Sequence, residues 1–365
     1  MDILLCLTAD GQSAPERTVT VTMPEGCHYA DGGVGTRNFQ TDAAGQVSVA
    51  GVKGSATPGE YTLSAASANA RTTARLTVTE LPNLGTIDVG GVLDPVVVSP
   101  DGTRAYVGNR ESNKVSVIDT PSSTVIGDIS ISQPWGIALS PDGTRAYATN
   151  FDLGFVSVID TDGLAVIDTI SVDSYPAYIT ISPDGTRLYV GHSASISVIE
   201  VASRKVIGTI AVSGWPGIVV SPDGTRVYVG TAVIDTVTYT VIGQIAIEGE
   251  VKGMALSPDG ALAYIAADYE TFFSKILVAD TVSFTVIETL DVERSSFQIA
   301  ITPDGAYVCA INLASASVSV LDTAGLTMIR TISVRSFPWG IDFSADGSRA
   351  FVCASDGTVS VIAIP

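Results

Sequence analysis

The tetrapeptide Ser-Pro-Asp-Gly recurs through this sequence at a nearly constant interval. It stands at Ser99–Gly102, Ser140–Gly143, Ser182–Gly185, Ser221–Gly224 and Ser257–Gly260, and two variants follow at Thr302–Gly305 and Ser344–Gly347. The aspartates of successive turns are 41, 42, 39, 36, 45 and 42 residues apart. Proline at the second position presets φ and glycine ends the turn, so each tetrapeptide predicts a tight type I turn.

Short apolar segments surround each turn and alternate as strands do. In the second unit they are Gly136–Leu139, Arg145–Asn150, Val156–Asp160 and Ala165–Ser171. Four short strands in every 40 or so residues are typical of a β-propeller. No window keeps the 3.6-residue apolar period of a helix. We therefore predict an all-β protein with a seven-bladed β-propeller over residues 84–365.

A second recurring tetrapeptide lies in the second strand of each unit. It stands at Tyr106–Asn109, Tyr147–Asn150, Tyr189–His192 and Tyr228–Thr231, and less complete copies stand at Tyr264–Ala267, Tyr307–Ala310 and Phe351–Ala354. This pattern resembles the YVTN β-propeller repeat family, known from microbial surface-layer and cell-surface proteins. The resemblance implies a bacterial protein at the cell surface or secreted, with a cytoplasmic location as the alternative. Because propellers host unrelated activities, the resemblance implies a fold and leaves the function open.

The seventh unit lacks a fourth strand. An unassigned segment, Leu84–Val89, precedes the first unit and matches the fourth-strand pattern of Ile207–Val212. We predict that it pairs with the third strand at Thr358–Ile362, because this pairing would remove two open sheet edges.

Residues 1–80 lack the repeat. The segments Thr41–Val47 and Pro58–Leu63 resemble bacterial Ig-like domains, so we predict a small Ig-like β-sandwich at 1–80 and a hinge at 81–83, with a spacer role favoured over a binding role. Residues 1–7 are too short and too acidic at their start for a signal peptide. The chain is then a piece of a longer protein, is exported without a cleaved signal, or stays inside the cell.

Charge and cysteine content narrow the function classes. The formal charge is −19, from 38 acidic and 19 basic residues, and such a surface repels both phosphate backbones and anionic membranes. We expect no nucleic-acid partner and no membrane insertion. The four cysteines form no Cys-x-x-Cys pair; Cys309 and Cys353 are predicted to be free and buried, and Cys6 and Cys27 could bridge.

Catalytic patterns are absent from the sequence. It has two histidines, no Walker loop and no Gly-x-Ser-x-Gly, so we assign no catalytic residue, predict no cofactor and leave a metal site open. An enzyme, such as a metal-assisted lactonase or lyase at the channel mouth, is an alternative. The acidic and imidazole groups available to it are scattered: Asp94, Asp173, Glu248, Glu250 and His192.

Aromatic residues give the leading functional signal. We place Trp135, Trp215 and Trp339 just before first strands, in the loops that ring one mouth of the channel, and we place Tyr175, Phe297 and Phe337 in the same zone. These rings either wedge between blades or form a recognition face, and aromatic faces suit sugar rings and peptide side chains.

Two further signals lie in the loops after second strands, which return to the same mouth. Unit four is short, whereas unit five carries the insertion Asp268–Ser274, in which Asp268, Tyr269, Phe272 and Phe273 are candidate ligand-binding residues. The second signal is His192, which replaces an asparagine; a hydrogen-bonding role in the loop is favoured over a ligand contact. The leading interpretation is a surface or secreted recognition protein that binds a glycan or a protein, with a propeller enzyme and a ligand-free scaffold as alternatives. Oligomeric state is left open.

Overall fold

The computed structural model describes residues 83–365, except 270–272 and 293–295, and the backbone of eight strands in the first 82 residues. Those strands are β1 (Ile3–Cys6), β2 (Thr8–Ala9), β3 (Gln12–Ser13), β4 (Thr18–Thr22), β5 (Thr36–Gln40), β6 (Gln46–Val49), β7 (Gly59–Ser67) and β8 (Ala70–Val78). They form a four-stranded antiparallel sheet in the order β5-β4-β7-β8 and the pairs β1–β6 and β2–β3. The Ig-like fold stays a prediction, and the proposed bridge partner Cys27 lies outside the described residues.

Seven four-stranded antiparallel sheets follow, so the predicted seven-bladed propeller is confirmed. Blade one consists of β10 (Leu93–Val98), β11 (Arg104–Asn109), β12 (Lys114–Asp119) and β13 (Thr124–Ser130), and blade two of β14 (Pro134–Leu139), β15 (Arg145–Asn150), β16 (Phe155–Asp160) and β17 (Ala165–Ser171). Blade three consists of β18 (Ile179–Ile181), β19 (Arg187–Gly191), β20 (Ile196–Glu200) and β21 (Lys205–Ile210), and blade four of β22 (Ile218–Val220), β23 (Arg226–Val229), β24 (Ala232–Asp235) and β25 (Val241–Gln244). Blade five consists of β26 (Glu250–Leu256), β27 (Leu262–Tyr269), β28 (Phe273–Asp280) and β29 (Thr285–Val292), and blade six of β30 (Ser296–Ile301), β31 (Tyr307–Asn312), β32 (Ser317–Asp322) and β33 (Thr327–Ser333). Blade seven consists of β34 (Pro338–Phe343), β35 (Arg349–Ala354), β36 (Thr358–Ala363) and β9 (Asn83–Asp88), which precedes blade one in the chain. No helix in the described residues is long and apolar enough to span a membrane.

The core of the propeller lies between neighbouring blades. Tyr106 of β11 is 1% exposed and packs with Ile137, Ala146 and Ile159 of the next blade. Tyr189, Tyr228 and Tyr264 are equally buried at the matching positions. The second-strand tyrosine of blades one to four therefore fills the gap to the following blade. In blades six and seven Cys309 and Phe351 take this position, so the repeat tetrapeptide predicted at Tyr307–Ala310 is out of register by two residues.

The Ser-Pro-Asp-Gly turns share one hydrogen-bond pattern in all seven blades. Each serine or threonine hydroxyl donates to the turn aspartate at 2.6 Å, and the same carboxylate accepts a backbone N–H at 3.0 Å. These bonds hold the pKa of every turn aspartate below its usual value, and the bond from the hydroxyl makes the largest contribution. The turn aspartates are thus structural groups.

The turn glycines join each blade to the preceding one. Their φ lies between +71° and +74°, where side chains are strained. A Cβ on Gly305 would approach Pro258 Cδ to 2.8 Å, and one on Gly102 would approach Ala345 Cβ of the seventh blade to 2.9 Å. The contact between Gly102 and Ala345 closes the ring of turns.

The closing strand forms as the repeat pattern predicts. β9 pairs with β36 in antiparallel register, from Thr358 opposite Asp88 to Ile362 opposite Asn83. The backbone N–H groups of Val89 and Gly90 each donate to Gly357 O at 2.9 Å. The prediction that Cys309 and Cys353 are free and buried is also confirmed.

Candidate functional site

A cavity of about 450 Å³ opens at the end of the channel where the first strands begin, and all seven blades line it. Its wall includes Asp94–Val97, Trp135–Ile137, Tyr178, Ile179, Trp215–Val219, Tyr228, Gly230, Val251–Met254, Phe297–Ile299 and Trp339. This volume lies within the roughly 300–1,000 Å³ of small-ligand sites. The mouth cavity, as we call it, is therefore large enough for a compact ring compound.

Blades two to four supply a connected series of aromatic rings. Trp135 stacks on Phe151 with 4.6 Å between ring centroids, and its other ring neighbour is Trp215 at 5.7 Å. Trp215 also meets Tyr178 at 5.1 Å with the ring planes at 88°. Tyr175 extends the series outward through Phe151, at 5.4 Å. The rings support one another in edge-to-face and stacked contacts, which favours fixed positions.

Blades six and seven supply a second aromatic pair. Phe297 and Trp339 meet edge to face at 4.7 Å. The three tryptophans predicted to share a face do line one cavity. Only part of the predicted placement is right, however, because Trp135, Phe297 and Trp339 lie inside β14, β30 and β34 and not before them. A register shift lets β14 and β34 begin earlier, at Pro134 and Pro338.

The tryptophans differ in exposure. Trp215 precedes β22, as predicted, and is 38% exposed. Trp135 and Trp339 are half-buried. Tyr175 and Phe337 are each 58% exposed and are not part of the cavity wall. Trp215 thus combines an exposed ring with a place in the cavity, and it is the best contact surface among the aromatic candidates.

A half-buried ion pair lies beside these rings. Arg110 Nη2 lies 3.4 Å from Asp94 Oδ2, and the guanidinium lies 4.2 Å from the Trp135 ring centroid. Burial raises the pKa of Asp94 to about 6, although Arg110 opposes the shift. Burial and the nearby Asp94 also raise the pKa of Tyr178. Sequence reasoning named Asp94 only as a possible enzyme group and missed Arg110 and Tyr178.

Blade five supplies the cation of the cavity wall. Lys252 Nζ lies 2.8 Å from Glu250 Oε2 and 3.9 Å from Asp268 Oδ2, and Ser274 donates to Asp268 at 2.5 Å. Asp268 is not part of the cavity wall; its link to the wall is the ion pair with Lys252.

The hairpin ladder of blade five extends into the predicted insertion. Asp268 pairs with Ser274 and Tyr269 with Phe273 in antiparallel register. Lys275 Nζ lies 5.4 Å from the Tyr269 ring centroid. Phe272 and the side chain of Phe273 lie outside the described residues.

His192, for which the sequence favoured a hydrogen-bonding role over a ligand contact, has a buried ring that is bonded on both sides and is not part of the cavity wall. It is 3% exposed, with Nδ1 3.2 Å from Ser174 O and Nε2 3.0 Å from Ser197 Oγ. Asn150 makes the matching bond to Ser157 Oγ at 2.9 Å. Burial lowers the pKa of His192, so the neutral ring replaces an asparagine as a structural tie.

The groups considered for an enzyme do not converge. His192 is held away from the cavity wall, whereas Asp94 lines it and Glu250 reaches it only through Lys252. Across the described residues no three histidine, cysteine or acidic side chains are placed to hold a metal ion.

Comparison with known proteins supports the fold. No family model and no curated protein matches the sequence. Among solved structures, the chain is similar to Kuenenia stuttgartiensis hydrazine synthase, with a TM-score of 0.68 and 20% identity over 75% of this chain and 97% of that one. At this identity the likeness shows the fold alone. The protein is a seven-bladed β-propeller with an aromatic mouth cavity, and membership of the YVTN family stays a prediction.

Proposed function

We propose that this protein is a recognition module that binds a glycan in the mouth cavity. The observation that carries the proposal is the exposed Trp215 ring, which forms one wall of a 450 Å³ cavity. Polar groups lie around the same cavity, on Asp94, Lys252 and Gln298. An apolar ring face with a few fixed polar groups is the usual composition of a small-ligand site.

A sugar suits this composition better than a flat protein surface does. The C–H face of a pyranose can pack on an indole ring, while its hydroxyls bond carboxylate, amide and ammonium groups. The cavity is concave and borders rigid first strands, which limits the ordering cost of binding. On the resemblance to the YVTN repeats, we place the protein at the bacterial cell surface or outside the cell.

The test is a titration of the protein with a panel of soluble oligosaccharides, in which binding is measured by tryptophan fluorescence and by calorimetry. Trp215→Ala should weaken binding by about 1–3 kcal/mol, because anchor residues contribute that much, and the melting temperature should stay close to that of the wild type. Tyr175→Ala is the matched control, since Tyr175 is an exposed ring outside the cavity wall. It should leave the affinity unchanged.

The same titration separates the alternatives. Chemical change of a bound oligosaccharide would indicate an enzyme, and the absence of saturable binding across the panel would indicate a scaffold. Equal losses in the Trp215 and Tyr175 variants would place binding outside the cavity and contradict the proposal.

A further inference from the structure

The mouth cavity has one carboxylate in its described wall, that of Asp94. The side chain is 15% exposed and lies close enough to Tyr178 to raise that phenol's pKa. The guanidinium of its partner Arg110 lies over the Trp135 ring, 4.2 Å from the ring centroid. Asp94 is therefore a negative charge within an aromatic enclosure.

The enclosure leaves Asp94 poorly compensated. Its ion pair with Arg110 is a single contact of 3.4 Å, longer than a charge-assisted hydrogen bond of roughly 2.7–2.9 Å. The guanidinium is turned toward Trp135, and its Nε has no hydrogen-bond partner among the described residues. A buried charge with weak pairing favours the approach of a further opposite charge.

Lys252, the cation in the described wall of the cavity, is better paired than Asp94. Its ammonium has one carboxylate at 2.8 Å and a second at 3.9 Å. An anionic ligand would have to compete with both. The cavity is thus prepared for a cation at Asp94 and shielded against an anion at Lys252.

The loops around the mouth add to this preference. Among the described residues of the loops that end second strands or precede first strands, exposed acids outnumber the exposed cation Arg335; they are Glu111, Asp152, Asp173, Glu248 and Asp356. The chain as a whole carries a formal charge of −19. A negative rim of this kind raises the local concentration of cations and repels acidic sugars.

We propose, on the basis of the glycan-binding function above, that the bound sugar carries a free ammonium group, which lies against Asp94 while the sugar ring packs on Trp215. The ligand class is then an amino sugar, of which a glucosamine unit is the simplest case. Aromatic walls contribute directly, because a ring face attracts an ammonium group.

Binding should depend on pH through Asp94. The titratable and charged groups around it are Arg110, Tyr178 and Cys353, with Lys252 elsewhere in the cavity wall. Burial raises the pKa of Tyr178 and of Cys353 above their ordinary values, so both stay neutral. Since the pKa of Asp94 is about 6, its charge is present above that pH and is lost below it.

The experiment compares two ligands that differ in one group. A short glucosamine oligomer and the fully N-acetylated oligomer of the same length are titrated by calorimetry at pH 7 and pH 5. We expect the free-amine oligomer to bind about 10-fold more tightly at pH 7, as for a close charge pair, and most of the preference to be lost at pH 5, where Asp94 is neutral. Asp94→Asn should reduce the preference at pH 7 to the same small part that the aromatic walls contribute, whereas the control Asp152→Asn, which removes one rim charge outside the cavity wall, should retain it.

Equal affinity for the two oligomers at pH 7, with binding still dependent on Trp215, would overturn this inference and leave the proposed function intact. Failure of both oligomers to bind, when other glycans bind through Trp215, would also overturn it. Failure of every glycan would refute the proposed function itself. Binding of a lysine-rich peptide in place of either sugar would overturn the amino-sugar assignment. The comparison of pH 5 with pH 7 uses the wild-type protein, so the test stands even if Asp94→Asn does not fold.

Discussion

The two ends of the propeller follow opposite rules. At the turn end, seven copies of one hydrogen-bonded turn join each blade to the next. At the mouth end, the residue five positions before the turn serine or threonine is different in almost every blade. In chain order these residues are Asp94, Trp135, Ala177, Pro216, Lys252, Phe297 and Trp339. Six of the seven line the mouth cavity.

This contrast shows where a repeat protein can vary. The turn end must repeat because each turn contacts its neighbours in the ring. The mouth residues face a cavity, so each blade can present a different group without disturbing the joints. We therefore expect substitutions at the turn end and in the shared core to change stability, and substitutions at the mouth to change binding.

The largest expected effect comes from the closing strand. Deleting residues 1–88 removes β9 and leaves β36 as an open edge, whereas deleting residues 1–82 keeps the whole strand. We expect the longer deletion to abolish cooperative unfolding or to lower the melting temperature by more than 10 °C, since a four-stranded blade is reduced to three strands. Calorimetry of the two truncated proteins tests this. Equal melting temperatures would show that the ring does not depend on β9.

A core tyrosine should separate stability from binding. Tyr189 is 1% exposed between two blades, so Tyr189→Ala should lower the free energy of unfolding by about 3–5 kcal/mol. Urea denaturation measures this loss. Oligosaccharide affinity of the folded protein should stay within about 2-fold of the wild type, opposite to the result for Trp215→Ala. A stable Tyr189 variant with weakened binding would break the division between the two ends.

The pH dependence of stability should distinguish the exposed turn aspartates from a buried aspartate that lies beside one of these turns. The turn aspartates have lowered pKa values, about 2 for Asp346, so their contribution is complete above the ordinary 3.8 and is lost as the pH falls toward 2. Asp342 lies in β34 and accepts the Val98 N–H at 2.7 Å. Burial raises its pKa to about 6, so its contribution is complete below 3.8 and is lost as the pH rises through 6.

Urea denaturation at several pH values tests this opposition. The ionisation of Asp342 should lower the free energy of unfolding of the wild type as the pH rises from 4 to 7. Asp342→Asn should show a smaller decrease over this range, whereas Asp346→Asn should show the same decrease as the wild type. His192 contributes with the opposite sign, because its lowered pKa favours the folded state at higher pH. The comparison of each variant with the wild type cancels that contribution. An unchanged pH profile in Asp342→Asn would refute the assignment.

The smallest expected effect concerns the contact between the fourth strand of one blade and the residue that precedes the fourth strand of the next, which we call the outer joint. At three joints, a glycine faces a large residue of the next blade: Gly127 with Leu164, Gly208 with Tyr239, and Gly243 with Phe284. Between blades two and three, Asp168 and Arg204 occupy these places and form an ion pair. Both side chains are more than 40% exposed, so a double-mutant cycle should give a coupling of about 0.2–1 kcal/mol that weakens in salt. A coupling that is unaffected by salt would show that the joint is held by packing.

The fold could be predicted because its determinants are local and repeated. Each Ser-Pro-Asp-Gly turn defines its own geometry, and in the first five blades the tyrosine of the second strand marks the buried position. The period near 40 residues and the missing fourth strand predicted seven blades closed by residues 84–89. The cavity residues were only partly predictable. A tryptophan near the start of a first strand identifies the mouth, but the register shift that places Trp135 and Trp339 inside their strands depends on pairing with the second strand.

By itself, then, the sequence determined the blade number, the turn end, the closing strand and the burial of Cys309 and Cys353. Only the tertiary structure decided which mouth residues act together. Asp94 and Arg110 are separated by a whole turn and strand, and Tyr178 comes from another blade, so nothing in their spacing links them. The same holds for His192, whose role depended on the serine beside it in the folded blade. These contacts depend on strand register and on the packing of neighbouring blades, which local sequence patterns do not encode.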